Sequence, residues 1–147
     1  MSQEKWTAVD NYITDLFVSP DDALDGALKA SVEAGLPAIH VAPNQGKFLS
    51  ILAQSIGARK ILEIGTLGAY STIWMARALP PDGKLVTLEY DPKHAEVARK
   101  NISYAGLDKI VEVRLGKAID LLPQVAADGL GPFDLIFIDA LVHPHSF

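Results

Sequence analysis

The sequence predicts an α/β fold with a parallel sheet, entered through an all-helical lead-in. Three observations carry this. From Lys60 onward, short apolar runs of strand type alternate with stretches of helical periodicity, and strand–helix–strand repetition calls for a parallel sheet with right-handed crossovers. The first apolar run, Ile61-Leu62-Glu63-Ile64, passes through the turn Gly65-Thr66-Leu67-Gly68 into a helix start at Tyr70-Ser71. An open α/β sheet builds a binding crevice in this way at the carboxyl end of its first strand. The first 57 residues show helical spacing and no strand pattern. The 147 residues suit one domain, divided into a lead-in (1–57), βα units (58–140) and a tail of different character (141–147).

The elements follow in order. Trp6, Val9, Ile13, Leu16 and Phe17 share one face of a helix over 3–17. Ser19-Pro20-Asp21-Asp22 restarts helix, with Ser19 as the expected cap and Pro20 in the first turn. Ala23, Leu24, Ala27 and Leu28 give that helix an apolar face, and Gly35 ends it. A loop with two prolines, residues 36–43, leads to Asn44 as the expected cap of a third helix carrying Phe48, Leu49, Leu52 and Ile56, closed by Gly57. Lys60–Ile64 is the first strand, and a helix over Tyr70–Leu79 stops at Pro80-Pro81. Asp82-Gly83 turns the chain into the second strand, Lys84–Glu89. Asp91-Pro92 caps a helix reaching Ala105, with Gly106 as its stop. Ile110–Arg114 is a third strand. Ile119, Leu121, Leu122 and Val125 mark a helix whose bounds Pro123 blurs. Phe133–Ile138 is a fourth strand, and the unbroken apolar run Leu135–Ile138 predicts burial on both faces.

Composition narrows the function classes. Hydrophobic residues make up 49% and charged residues 21%, which is globular composition. The net charge is −5 and the 13 basic residues are scattered, so nothing suggests a nucleic-acid partner. No apolar run is long enough for a bilayer span, and Met1–Trp6 is not a signal peptide. The absence of cysteine removes thiol chemistry and fits a reducing compartment. A cytoplasmic protein is expected.

Glu63-x-Gly65-x-x-Gly68 differs from the dinucleotide fingerprint Gly-x-Gly-x-x-Gly at its first position. A carboxylate there repels a pyrophosphate and favours a cationic ligand without phosphates, such as S-adenosylmethionine, whose sulfonium and ammonium are both positive. That substitution also argues against a nicotinamide-dependent oxidoreductase. Glu89 ends the second strand, where an acidic residue meets ribose hydroxyls in such sheets. Either acid alone is an ordinary strand-end charge; the pair at this spacing is a site.

Residues 61–71, Val86-Thr87-Leu88-Glu89 and Phe137-Ile138-Asp139-Ala140 resemble the cation-dependent S-adenosylmethionine O-methyltransferases, the group of the catechol and caffeoyl-coenzyme A enzymes. The resemblance covers almost the whole chain, including the helical lead-in. It implies a Rossmann-like methyltransferase fold of which the lead-in and the first four parallel strands are present and the remaining strands missing. It also implies methyl transfer to a hydroxyl of a small aromatic, catechol-like acceptor. By position, Val41 would lie over the methionine end of the cofactor and Glu63 would receive its amino group. Gly65 and Thr66 would meet the cofactor through the backbone, and Ser71 would bond its carboxylate. Glu89 would hold the ribose, Tyr90 would flank the adenine, and Gly116 and Ala118 would line the adenine pocket. Asp139 would touch the cofactor and ligate a divalent cation such as Mg²⁺, a hard ion that takes oxygen ligands.

The resemblance fails after Ala140. Val142 stands where the family carries a lysine three residues beyond the metal aspartate, so no catalytic residue is assigned. The family's Asp-Asn metal pair has no counterpart, and one aspartate cannot fix Mg²⁺ in place. His143-Pro144-His145 is either a polar tail or a pair able to bind a transition metal. Two expectations follow from the bare edge of the fourth strand. The chain is a shortened methyltransferase, weak or inactive alone, or it is a non-catalytic cofactor-binding fragment that associates, for example as a homodimer.

Overall fold

The structure, a computed structural model, describes residues 2–140. The expectations for Leu141, Val142, His143 and His145 lie outside the described residues. Six helices and four strands are described: α1 (Gln3–Phe17), α2 (Asp22–Glu33), α3 (Pro43–Ser55), β1 (Lys60–Ile64), α4 (Tyr70–Ala76), β2 (Lys84–Glu89), α5 (Pro92–Tyr104), β3 (Val111–Leu115), α6 (Ala118–Ala127) and β4 (Leu135–Ile138). All strand pairs are parallel, in the order β3-β2-β1-β4. The chain steps outward from β1 through β2 to β3, then returns to place β4 on the other side of β1. The direction of winding therefore reverses between β1 and β4, and ligands in such sheets bind outside the strand ends at that reversal.

Alternation along β1 separates two layers of packing. Ile61 joins Leu85, Ile73, Met75, Ala53, Ala98 and Leu24 in the main core, on the face covered by α2 to α5. Leu62 turns the other way, with Val86 and Leu88, onto Leu121 and Val125 of α6. Helix α4 is buried along its whole length. Helix α3 reaches it because Gly46 has no side chain; a Cβ there would lie 2.3 Å from the Trp74 ring.

Several boundaries differ from the sequence reading, for local reasons. The cap of α2 is Asp21, not Ser19: its carboxylate accepts the N–H groups of Ala23 and Leu24, both at 3.0 Å. The negative charge of that carboxylate is also favoured by the helix dipole at an N-terminus. Helix α3 starts one residue before Asn44, with Pro43 in its first turn and the Gln45 side chain accepting the Ala42 N–H. Asn44 instead bonds Asp10 of α1 at 2.9 Å. Helix α4 stops at Ala76, short of Leu79. Helix α6 continues through Pro123, which falls in its second turn. Strand β4 is not buried on both faces: Leu135 and Phe137 pack on the main core, while Ile136 and Ile138 are exposed. Helix α6 lies over β2 rather than β4, so no described element covers those two isoleucines. Among the described residues β4 pairs only with β1. No described helix is long and apolar enough to cross a membrane.

Candidate functional site

The carboxyl ends of β1, β2 and β4 open into two adjoining cavities at the winding reversal. The smaller, about 100 Å³, is lined by Val41, Gly65, Thr66, Tyr70, Ser71 and Asp139, among others. The larger, about 360 Å³, is lined by Ile64, Leu88, Glu89, Tyr90, Gly116 and Ala118, among others. Ile39, Gly65, Leu67, Asp139 and Ala140 border both, so the two form one elongated crevice. Nine of the ten residues singled out in the sequence line this crevice; Glu63 does not.

Glu63 sits beneath the crevice floor, fully buried. Alternation on β1 points it toward α4, where Ser71 and Thr72 open the helix. Ser71 Oγ donates to its Oε1 at 2.5 Å, Thr72 Oγ1 donates to its Oε2 at 2.5 Å, and Thr87 Oγ1 of β2 donates to Oε2 at 2.7 Å. Thr87 Oγ1 also lies 2.6 Å from Thr66 Oγ1. Burial pushes the Glu63 carboxyl up to about 7, against the three hydroxyls, which favour its charged form; the nearby Asp139 charge adds to the rise. The amino-group role expected of Glu63 therefore has no direct route, because the carboxyl group is fully buried and lines neither cavity. Ser71 directs its hydrogen to Glu63, so it presents lone pairs toward the smaller cavity.

Glu89 has a different task from the ribose contact alone. Its Oε2 accepts the N–H groups of Thr66 at 3.0 Å and Leu67 at 2.8 Å, and its Oε1 accepts Asp91 N–H at 2.9 Å. One carboxylate thus clamps the turn after β1 to the end of β2. An ionised carboxylate has about four acceptor positions, so one remains for the cavity that Glu89 lines. The Thr66 N–H is engaged by this clamp and cannot also bind a ligand.

Glycine is required at the centre of the crevice. Gly65 has φ +98, and a Cβ would stand 2.4 Å from the Asp139 carbonyl oxygen; only a bare backbone lets β1 and β4 approach this closely. Tyr90 is largely exposed at the rim, and Gly116 N–H donates to the Glu89 carbonyl at 2.8 Å. His40 meets Tyr70 edge-on, with ring centroids 5.7 Å apart, and closes the outer wall.

Thr72, Thr87 and Asn101 escaped the sequence reading. Asn101, buried on α5, donates to the Gly68 carbonyl at 2.9 Å and braces the turn from behind. The available signal was a threonine inside the apolar strand run Leu85–Leu88 and an asparagine on an apolar helix face. Asp139 is exposed, and among the described residues no group of three His, Cys, Asp or Glu is placed to hold a metal ion. The described residues alone do not complete a divalent-cation site.

Sheet order, crevice position and the two carboxylates define a doubly wound α/β domain with a small-molecule site at its winding reversal. Comparison with known proteins makes this more particular. The family model described as O-methyltransferase matches residues 18–144, and the chain belongs to that family. It is 60% identical to a catechol O-methyltransferase of Niastella koreensis over 99% of this chain and 66% of that protein. It is 56% identical to a catechol O-methyltransferase of Mycobacterium tuberculosis over 90% of this chain and 59% of that one. Among solved structures, a Bacillus cereus O-methyltransferase in complex with SAH matches with TM-score 0.90 and 54% identity, over 93% of this chain and 62% of that chain. TomG of Streptomyces achromogenes in complex with SAM matches with TM-score 0.88 and 48% identity, over 95% and 63%. The chain thus spans about two thirds or less of the length of these relatives.

Proposed function

We propose that this chain binds S-adenosylmethionine in the crevice and belongs to an enzyme that methylates a hydroxyl of a small aromatic, catechol-like acceptor. The observation that carries this is the polarity of the crevice: a wide end with Glu89 and Tyr90, and a narrow end with Asp139 and the lone pairs of Ser71. Carboxylate and hydroxyl acceptors suit a ligand with hydroxyls at one end and positive charge at the other. The two catechol O-methyltransferases among its relatives, from two genera, support the acceptor class.

When bound, S-adenosylmethionine supplies a methyl group on a sulfonium, which is already a good leaving group. The residues of this chain contribute position and solvent exclusion. Glu89 would take a ribose hydroxyl on its remaining acceptor position and keep the 65–67 turn in register. Gly65 would let the ligand lie against the backbone. Gly116 and Ala118 would leave room for the adenine, with Tyr90 beside it. Ser71, held by Glu63, and Asp139 would receive the ammonium, and Val41 would cover that end. A cytoplasmic setting fits a chain without cysteine.

A second reading, cofactor binding and subunit association without methyl transfer, is favoured by Asp139 belonging, among the described residues, to no group of three His, Cys, Asp or Glu placed to hold a metal ion. A radiolabelled methyl-transfer assay with a catechol and Mg²⁺ separates the two. The account expects the 147-residue chain to bind S-adenosylmethionine and to turn over weakly or not at all. Vigorous turnover would overturn that expectation and leave the first reading alone.

A further inference from the structure

Glu89 Oε2 accepts the N–H groups of Thr66 and Leu67, so both of its lone-pair positions are used. Glu89 Oε1 accepts one N–H, from Asp91. The open acceptor position of this buried carboxylate therefore lies on Oε1. His94 stands beside that oxygen, with Nδ1 3.7 Å away. The gap is too long for a direct hydrogen bond, and a polar separation of this size leaves room for a third polar atom. The imidazole is placed there by the start of α5. Its main-chain N–H donates to the carboxylate of Asp91, the N-cap, at 3.2 Å, and the Asp91 N–H is the one held by Glu89 Oε1. The side chain is 21% exposed and lines the larger cavity together with Glu89. A carboxylate oxygen only accepts, so the ring nitrogen that faces it carries its hydrogen; a lone pair there would be repelled. One wall of the cavity thus offers an acceptor and a donor side by side.

We propose that His94 is a further ligand-binding residue of the crevice, and that with Glu89 it reads two hydroxyls on adjacent carbons. This rests on the cofactor reading above, in which the wide end receives a ribose. One hydroxyl donates to the open position on Glu89 Oε1, and its neighbour accepts from His94 Nδ1–H. The 3.7 Å between the two protein atoms is near enough to the spacing of vicinal hydroxyl oxygens for both bonds to form without moving α5. A carboxylate alone selects only for a donor. The added imidazole makes the site selective for the complete diol, because a ligand lacking either hydroxyl leaves a polar group of the site unpaired. The rival arrangement is a latch, in which His94 closes directly onto Oε1 and competes with the ligand for the open position. The two arrangements give opposite signs when the imidazole is removed.

Isothermal titration of the 147-residue chain with S-adenosylmethionine and with its 2′-deoxy and 3′-deoxy analogues tests this. His94→Ala should weaken S-adenosylmethionine binding by about three- to tenfold, the worth of one neutral hydrogen bond, with the thermal midpoint unchanged. The analogue that lacks the hydroxyl served by His94 should bind His94→Ala and the wild type equally. His94→Asn should recover most of the loss, because an asparagine amide nitrogen stands near the place of Nδ1 and donates. An affinity that is unchanged or raised in His94→Ala overturns the proposal. So does an equal loss with all three ligands, or a His94→Asn variant no better than His94→Ala. A wild-type chain that binds no S-adenosylmethionine overturns the cofactor reading and this proposal with it, whereas wild-type binding that His94→Ala leaves intact overturns the role of His94 alone.

Discussion

The crevice floor and the exposed face of α1 and α3 invert each other. At the floor, charged and hydroxyl groups are buried where apolar ones would pack more easily. On the helical face, aromatic and aliphatic groups are exposed where polar ones would be better solvated. At the floor every named oxygen has a partner: Glu63 has three hydroxyls and Glu89 three N–H groups. The helical face has no such internal compensation. A buried polar network that is fully satisfied holds one geometry, which a ligand site needs. An apolar face left open has no such network to hold its side chains in one geometry.

Glu63→Ala should break the comparison most severely. It strips three buried hydroxyls of their acceptor and leaves a cavity, a loss of about 3 kcal/mol or more, read as a fall of roughly 10 °C in the thermal midpoint. Gly46→Ala comes next. The added methyl meets the Trp74 ring at 2.3 Å, and such overpacking costs about 1–3 kcal/mol, visible in chemical denaturation. Glu89→Gln keeps the shape but gives up charge-assisted bonds to the turn; S-adenosylmethionine affinity should fall by about tenfold by calorimetry, with a smaller loss of stability.

Glu63→Gln has the subtlest effect and sharpens the comparison through pH. The folded carboxyl titrates near 7 against an ordinary value of 4.5, so the folded state holds its proton more tightly than the unfolded chain. Its contribution to stability is complete below about pH 4.5 and is lost as pH rises through about 7. The wild type should therefore lose thermal stability between pH 5 and pH 8 relative to Glu63→Gln. Parallel melting curves check this, and a difference between the two proteins that stays constant across that range would contradict the raised Glu63 pKa.

The sequence reading was sound where one residue type has one physical use. Strand β2 began and ended as expected, because Asp82-Gly83 and Asp91-Pro92 bracket it. Gly65 was legible because few arrangements need a glycine at a strand end. The reading was less complete where the choice among partners depends on three dimensions. Ser19 and Asp21 are both good caps, and only the path of the chain decides between them. The same holds for Glu63. The spacing announced a carboxylate beside the crevice, but not that Thr87, 24 residues away, would reach it first. The exposure of Ile136 and Ile138 depended on where α6 comes to rest, which no pattern within β4 records.

The central claim is that this crevice is an S-adenosylmethionine site maintained by the two carboxylates. The most direct test is isothermal titration of the 147-residue chain with S-adenosylmethionine and, separately, with NAD. The account predicts saturable one-to-one binding of S-adenosylmethionine, weakened in Glu89→Gln, and no binding of NAD. Heat with NAD and none with S-adenosylmethionine, from a chain that is folded by circular dichroism, would contradict it.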